Sequence, residues 1–287
     1  MGSAALVGLF TALNKWTLTE AIPPLTAGAW TYLAAGIALL PWALRAKGLH
    51  FTRPWVAVLW LINGSVLGPV FYFVGLDLTS GIQGSLMINL EAVFTAVLAF
   101  ALFRERLMRT TLWASAAVLA GATWLSWPSH GATLLAGNGL GNLLIALGYL
   151  AWGAENNLGR LLGEEVPAVT LVCLKATLAG LVMGMMALSF HQALVVPWRV
   201  VPGIVASGAI SLGLSLALFY IAMRQIGAGR TGLISSTSVL WGVTGSIILL
   251  GETLSWQIVS GGLIMLAGLA GFARESARPV QIEAGEV

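Results

Sequence analysis

Charge is what this sequence has least of. Only 9% of its 287 residues are charged against 58% hydrophobic, and the mean hydropathy is +0.90, whereas soluble domains carry about a quarter charged residues. That scarcity excludes a soluble globular chain and makes lipid the solvent for most of the surface. Cysteine is nearly absent as well. The single Cys173 sits in the apolar run VTLVCLKATL, so there is no disulfide framework and no thiolate metal site, and the residue reads as small apolar packing. The three histidines, His50, His130 and His191, all fall in loops. There is no HExxH, no nucleophile beside its base and no phosphate-cradling glycine loop ending in Lys-Ser/Thr. No enzyme, metal, cofactor or ATP-driven activity is therefore expected. A basic region ahead of the first apolar run is missing too, and that run is followed by EAIPPLTAG, not by a small-residue cleavage site. It is expected to remain as the first span instead of being removed as a signal peptide.

What is plentiful points to membrane helices. Thirty-five glycines and twelve tryptophans suit close helix approach and the headgroup boundary, respectively. Apolar stretches long enough for a hydrocarbon core, which takes roughly 20 helical residues, fall near 4–20, 24–44, 54–75, 81–103, 111–128, 139–159, 167–190, 200–223, 229–250 and 254–273. The predicted fold class is all-α integral membrane, with about ten transmembrane helices. Trp42, Trp55, Trp124, Trp127, Trp198 and Trp256 lie at span ends, as an interfacial belt would.

The basic residues then give an orientation. Arg45, Lys47 and Arg53, then Arg104, Arg106 and Arg109, then Arg160, Arg224, Arg230, Arg274 and Arg278 all fall on one side of this layout, and only Arg199 on the other. Positive loops stay inside, so the expectation is a multi-pass inner (plasma) membrane protein with both termini cytoplasmic. The pI of 9.4 is a topology signal, and no nucleic-acid partner is expected; the partners are the lipid bilayer and a small-molecule substrate. Small-residue runs in spans five and ten, AGA and AGLAG, suit close contacts within the chain or in a homodimer.

An internal repeat organises the spans. FYFVGLDLTSGIQGSLMINLEAVFTAVLAFALFRERL from Phe71 is similar to FYIAMRQIGAGRTGLISSTSVLWGVTGSIILLGETL from Phe219, aligning Tyr72 with Tyr220 and Glu105 with Glu252. Five spans per copy is an odd number, so the copies insert with opposite orientation, the inverted-repeat plan of many secondary transporters. The charges agree: FRERLMR carries three arginines and LGETLSW none. The predicted units are a first five-helix repeat over 1–130, a second over 139–275, and a short cytoplasmic tail over 276–287.

These half-ends, each closed by a glutamate, resemble the drug/metabolite transporter superfamily and, within it, EamA-type transporters with two EamA domains. The resemblance covers nearly the whole chain. It implies ten helices around a central cavity lined mainly by helices one, three, four, six, eight and nine, and export of amino acids and other metabolites or uptake of diverse solutes. One departure stands out. A basic residue is frequent in the second helix of such a half; Lys175 matches it in the second copy, but the first has Thr31-Tyr32 in that region.

Four ionisable residues lie inside spans: Lys15, Glu91, Glu155 and Lys175. A charge at the bilayer centre costs at least about 2.5–3.5 kcal/mol on insertion scales, so each must face a partner or water. One reading makes Lys15, Glu91 and Glu155 the polar lining of a midplane cavity, able to hold an amine, a carboxylate or a coupling proton. The other makes Lys15–Glu91 and Glu155–Lys175 internal ion pairs holding helices in register, the role favoured for Lys175. The two readings are compatible. Asn14 and Asn156 flank these charges. On a helix, Thr95 at i+4 shares the side of Glu91, while Asn89 points about 200° away. Ser235, at the head of the SSTS run, could bond backbone carbonyls or substrate. Trp16, Tyr72, Trp152 and Trp241 lie within spans and could stack on a substrate's apolar part. The function expected is secondary transport of a small polar metabolite, foremost amino-acid export by alternating access. Uptake, drug efflux, a passive channel and a scaffold are the alternatives.

Overall fold

The computed structural model describes residues 1–46, 51–104, 108–127, 138–162, 166–226, 231, 234–235 and 237–276. Glu105, Arg106, Lys47, Arg230, Ser236, His50, His130 and the tail from 277 onward lie outside the described residues. Among the described residues the chain forms ten long helical segments and no strand. Lipid offers the backbone no hydrogen-bond partner, which is why every span takes the one form that satisfies its own amides.

The first half contains α1 (Gly2–Thr19), α2 (Pro24–Arg45), α3 (Pro54–Leu78), α4 (Gly81–Phe103) and α5 (Arg109–Ser126). The second contains α6 (Asn138–Leu162), α7 (Ala168–Ser189), α8 (198–226), α9 (Ser238–Leu250) and α10 (Trp256–Ser276). By length and composition alone, α2, α3, α4 and α7 are apolar enough to cross a membrane. Local chemistry sets the boundaries. Pro24 and Pro54 open α2 and α3, where the missing N–H costs nothing. The Ser80 hydroxyl accepts the Gln83 amide at the head of α4, a helix N-cap. α4 ends on Arg104 at φ 55° and α9 ends on Gly251 at φ 65°, so the two copies of the repeat stop at the same left-handed turn. α3 and α8 also share an irregularity, a π-helical stretch at Ile62–Leu67 and at Ala206–Leu214.

Packing follows the inverted symmetry. α2 crosses α7 at the centre, α5 lies along α10, α6 packs on α3 and α4, and α1 packs correspondingly on α8 and α9. Small residues bring the central pair together: Gly36 meets Thr177, and Gly180 meets Ala29 and Leu33, the close-approach device of membrane helices. The six tryptophans at span ends are all exposed, as an interfacial belt requires.

One end of the bundle is latched. There the Glu252 carboxylate accepts the Gly81 amide at 2.6 Å and the Ile82 amide at 2.8 Å, so a residue of the second half caps the helix α4 of the first. The Lys15 ammonium donates to the carbonyls of Leu76 and Asp77, both at 3.0 Å, at the end of α3, and Arg199 pairs with Glu20 at 3.0 Å. A carboxylate at a helix start and an ammonium at a helix end both sit where the helix dipole favours them.

Candidate functional site

α6 supplies the core of the site. Tyr149, Trp152, Glu155 and Asn156 follow one another at helical spacing and line a cavity of about 240 Å³ between the halves, together with Glu91 of α4 and Lys175 of α7. From the latched end the cavity is closed by aromatic rings. Tyr72 of α3 lies 6.2 Å from Tyr149 and 5.5 Å from Trp152 between ring centres, and Tyr149 lies 5.2 Å from Trp152. The Tyr72 hydroxyl donates to Thr11 at 2.9 Å. Gly68 faces the Trp152 indole, whose N–H is buried without a partner among the described residues.

Two polar arrangements occupy the opposite wall. Lys175 grips Glu155 with both carboxylate oxygens in reach, at 2.7 and 2.8 Å, and the Glu155 side chain is 7% exposed. The backbone makes room for this pair: a Cβ on Gly64, in the π-helical turn of α3, would come within 2.6 and 2.7 Å of the Glu155 oxygens. Glu91 is held differently. The Asn156 amide donates to it at 2.9 Å and to the Thr95 hydroxyl at 3.2 Å, while Asn157 donates to the Thr95 carbonyl at 3.0 Å. Among the described residues no cation lies within ion-pairing distance of Glu91. Three charges thus face one space, two of them paired and one carboxylate oriented by an amide, with no cation among the described residues close enough to pair with it.

The structure brings Glu91, Glu155, Asn156, Tyr72 and Trp152 together on the cavity, with Thr95 directly behind as a support for Asn156. Lys175 stands on the cavity wall as well as in its ion pair. Other candidates lie elsewhere. Lys15 sits past the cavity-facing stretch of α1, which is Val7, Phe10 and Thr11, and its ammonium reaches the closing carbonyls of α3 instead of Glu91. Asn14 is fully buried; it donates to the Phe10 carbonyl and accepts from Thr31 at 3.0 Å, clasping α1 to α2. Trp16 packs on Gly203 at the start of α8. Trp241 is 43% exposed beside Gly8. Ser235, half-buried in a short helical turn ahead of α9, is not on the cavity.

Some lining residues were not singled out from sequence: Tyr149, Tyr32, Thr11 and Ser211. Tyr149 had a readable signal, since Tyr149, Trp152 and Asn156 recur at i, i+3, i+7 along one face of α6. Ser211 had none. It sits in the π-helical stretch of α8, where ordinary helical periodicity fails.

Known proteins agree with this architecture. A family model described as the EamA-like transporter family matches residues 1–127 and again 139–274. A protein of Methanothermobacter thermautotrophicus described as an uncharacterized transporter is 27% identical over 279 residues, spanning 91% of this chain and 81% of the relative. An uncharacterized protein of Pseudomonas aeruginosa is 29% identical over 206 residues, 71% of this chain and 69% of the relative. A crystal structure at 20% identity superposes with a TM-score of 0.62, covering 97% of this chain and 100% of that one, and shares the fold. With both five-helix halves matched and a polar cavity between them, the chain is a multi-pass membrane transporter and belongs to the EamA-like transporter family.

Proposed function

We propose that this transporter exports a small metabolite bearing an ammonium group, an amino acid or a related compound, by alternating access. The observation that carries the reading is the Glu91 carboxylate, without an ion-pair partner among the described residues and held by Asn156 at a cavity walled by tyrosine and tryptophan. An ammonium placed there meets both a counter-charge and the faces of aromatic rings, which attract cations at short range. Lys175 on the same wall suits the carboxylate of a zwitterion. Support for alternating access comes from the inverted halves, which admit two opposite-facing arrangements, and from the Glu252 latch that ties the halves at one end.

The test is flux of labelled amino acids and small amines in proteoliposomes. Saturable transport is expected, and Glu91→Gln, which can still accept the Asn156 amide, is expected to weaken substrate binding about 10- to 100-fold, the worth of one hydrogen-bonded charge. Non-saturable flux indifferent to Glu91→Gln indicates a channel, and absence of flux for any solute a scaffold. Drug efflux by the same site is a second reading, favoured by its aromatic wall.

A further inference from the structure

The polar cavity has an apolar neighbour. A groove of about 530 Å³ runs beside it, lined by Ala38, Leu39 and Trp42 of α2, Val169 of α7, and Ala209 and Leu216 of α8 among others, with no charged or hydroxyl side chain among the described residues. Leu216 belongs to both spaces, and Val172, which lines the cavity, lies one helical turn from Val169, which lines the groove. Few contacts close the seam between them, for a structural reason. In the first half α2 packs on α3, whereas in the second the corresponding helices α7 and α8 barely touch. The π-helical stretch of α8 lies along α2 instead.

Resting on the reading of Glu91 as the ammonium acceptor, we infer that the two spaces form one amphipathic site: the ammonium of the substrate binds at Glu91 while an apolar chain passes Leu216 between α7 and α8 into the groove. The substrate class is a primary amine or amino acid with an unbranched or slender apolar tail. Size supports this occupant. Pockets that hold drug-sized ligands run from roughly 300 to 1,000 Å³, a range the cavity reaches only with the groove. Chemistry supports it too, because the described lining side chains offer a tail dispersion contacts and no polar group. Leu216, shared by the two spaces, sets the groove beside a head bound at the charged wall.

Straight-chain primary amines from ethylamine to octylamine, competing against a labelled short amine in proteoliposomes, test the proposal. Burying a methylene in apolar surroundings is worth about fourfold in affinity. Wild-type protein is expected to gain about that factor per carbon until the groove is filled. Val169→Trp, which fills the groove, is expected to erase the gain per carbon, read as the slope from ethylamine to octylamine within the variant. Ala209→Leu, from the facing wall, is expected to blunt it in the same direction should the tryptophan variant fail to fold. An equal length dependence in wild type and both variants means the tail sits in lipid and overturns the inference, as does no dependence on length. If ethylamine itself does not compete, the assignment of Glu91 falls, and this inference with it.

Discussion

The two halves make the same helix crossing with different chemistry. In the first, Thr31 of α2 bonds Asn14 of α1 at 3.0 Å; in the second, Lys175 of α7 bonds Glu155 of α6 at 2.7 Å. The positions correspond: Pro23, Thr26, Thr31 and Gly36 are matched in order by Pro167, Thr170, Lys175 and Gly180. A neutral clasp holds one crossing and an ion pair the other, and only the charged one opens onto the cavity. The inverted fold supplies two equivalent places for a site, and side-chain chemistry selects one of them. The latch follows the same logic, since Glu252 of the second half closes over the first half's α4.

That comparison can be broken most forcefully at Lys175. Lys175→Met strands a nearly buried carboxylate, and the loss of one partner of a buried pair costs about 3–5 kcal/mol, read by denaturation of the purified protein in detergent. A loss below 1 kcal/mol would mean the pair has no structural weight. Next in size is Glu252→Gln, which keeps an acceptor but removes a charge hydrogen-bonded to two amides, worth about 1.5–3 kcal/mol. Phe10→Cys, in a Cys173→Ser background, should then react about ten times faster or more with an impermeant thiol reagent from the latched side. Unchanged reactivity would show that Glu252 does not hold that end shut. The smallest effect is expected at the neutral crossing, where Thr31→Val removes one ordinary hydrogen bond, about 0.5–1.5 kcal/mol. If it matches Lys175→Met, the two crossings are energetically alike and the asymmetry between the halves does not hold.

The fold was legible because hydropathy and the Phe71 and Phe219 repeat are one-dimensional signals, and both survive into three dimensions. Within the site, Glu91 and Thr95 were placed on one side of α4 by helical spacing, and both meet Asn156. Lys15 was not readable in this way. A lysine near a helix end can turn to the cavity or to the carbonyls closing its neighbour, and nothing local to ALNKWTL decides between them. Glu252 was visible as a repeated glutamate, yet its partner lies in the other half, a contact that no spacing along the chain encodes. The seam between α7 and α8 was equally hidden, since it depends on which helices fail to pack.

The glycine at 64 gives the charged crossing an evolutionary signature. Its missing side chain is the space that the Glu155 carboxylate fills, so position 64 cannot acquire a methyl while positions 155 and 175 keep their charges. Across relatives the three positions should therefore vary as a set, with glycine accompanying the ion pair and larger residues appearing only where a shorter or neutral side chain replaces Glu155.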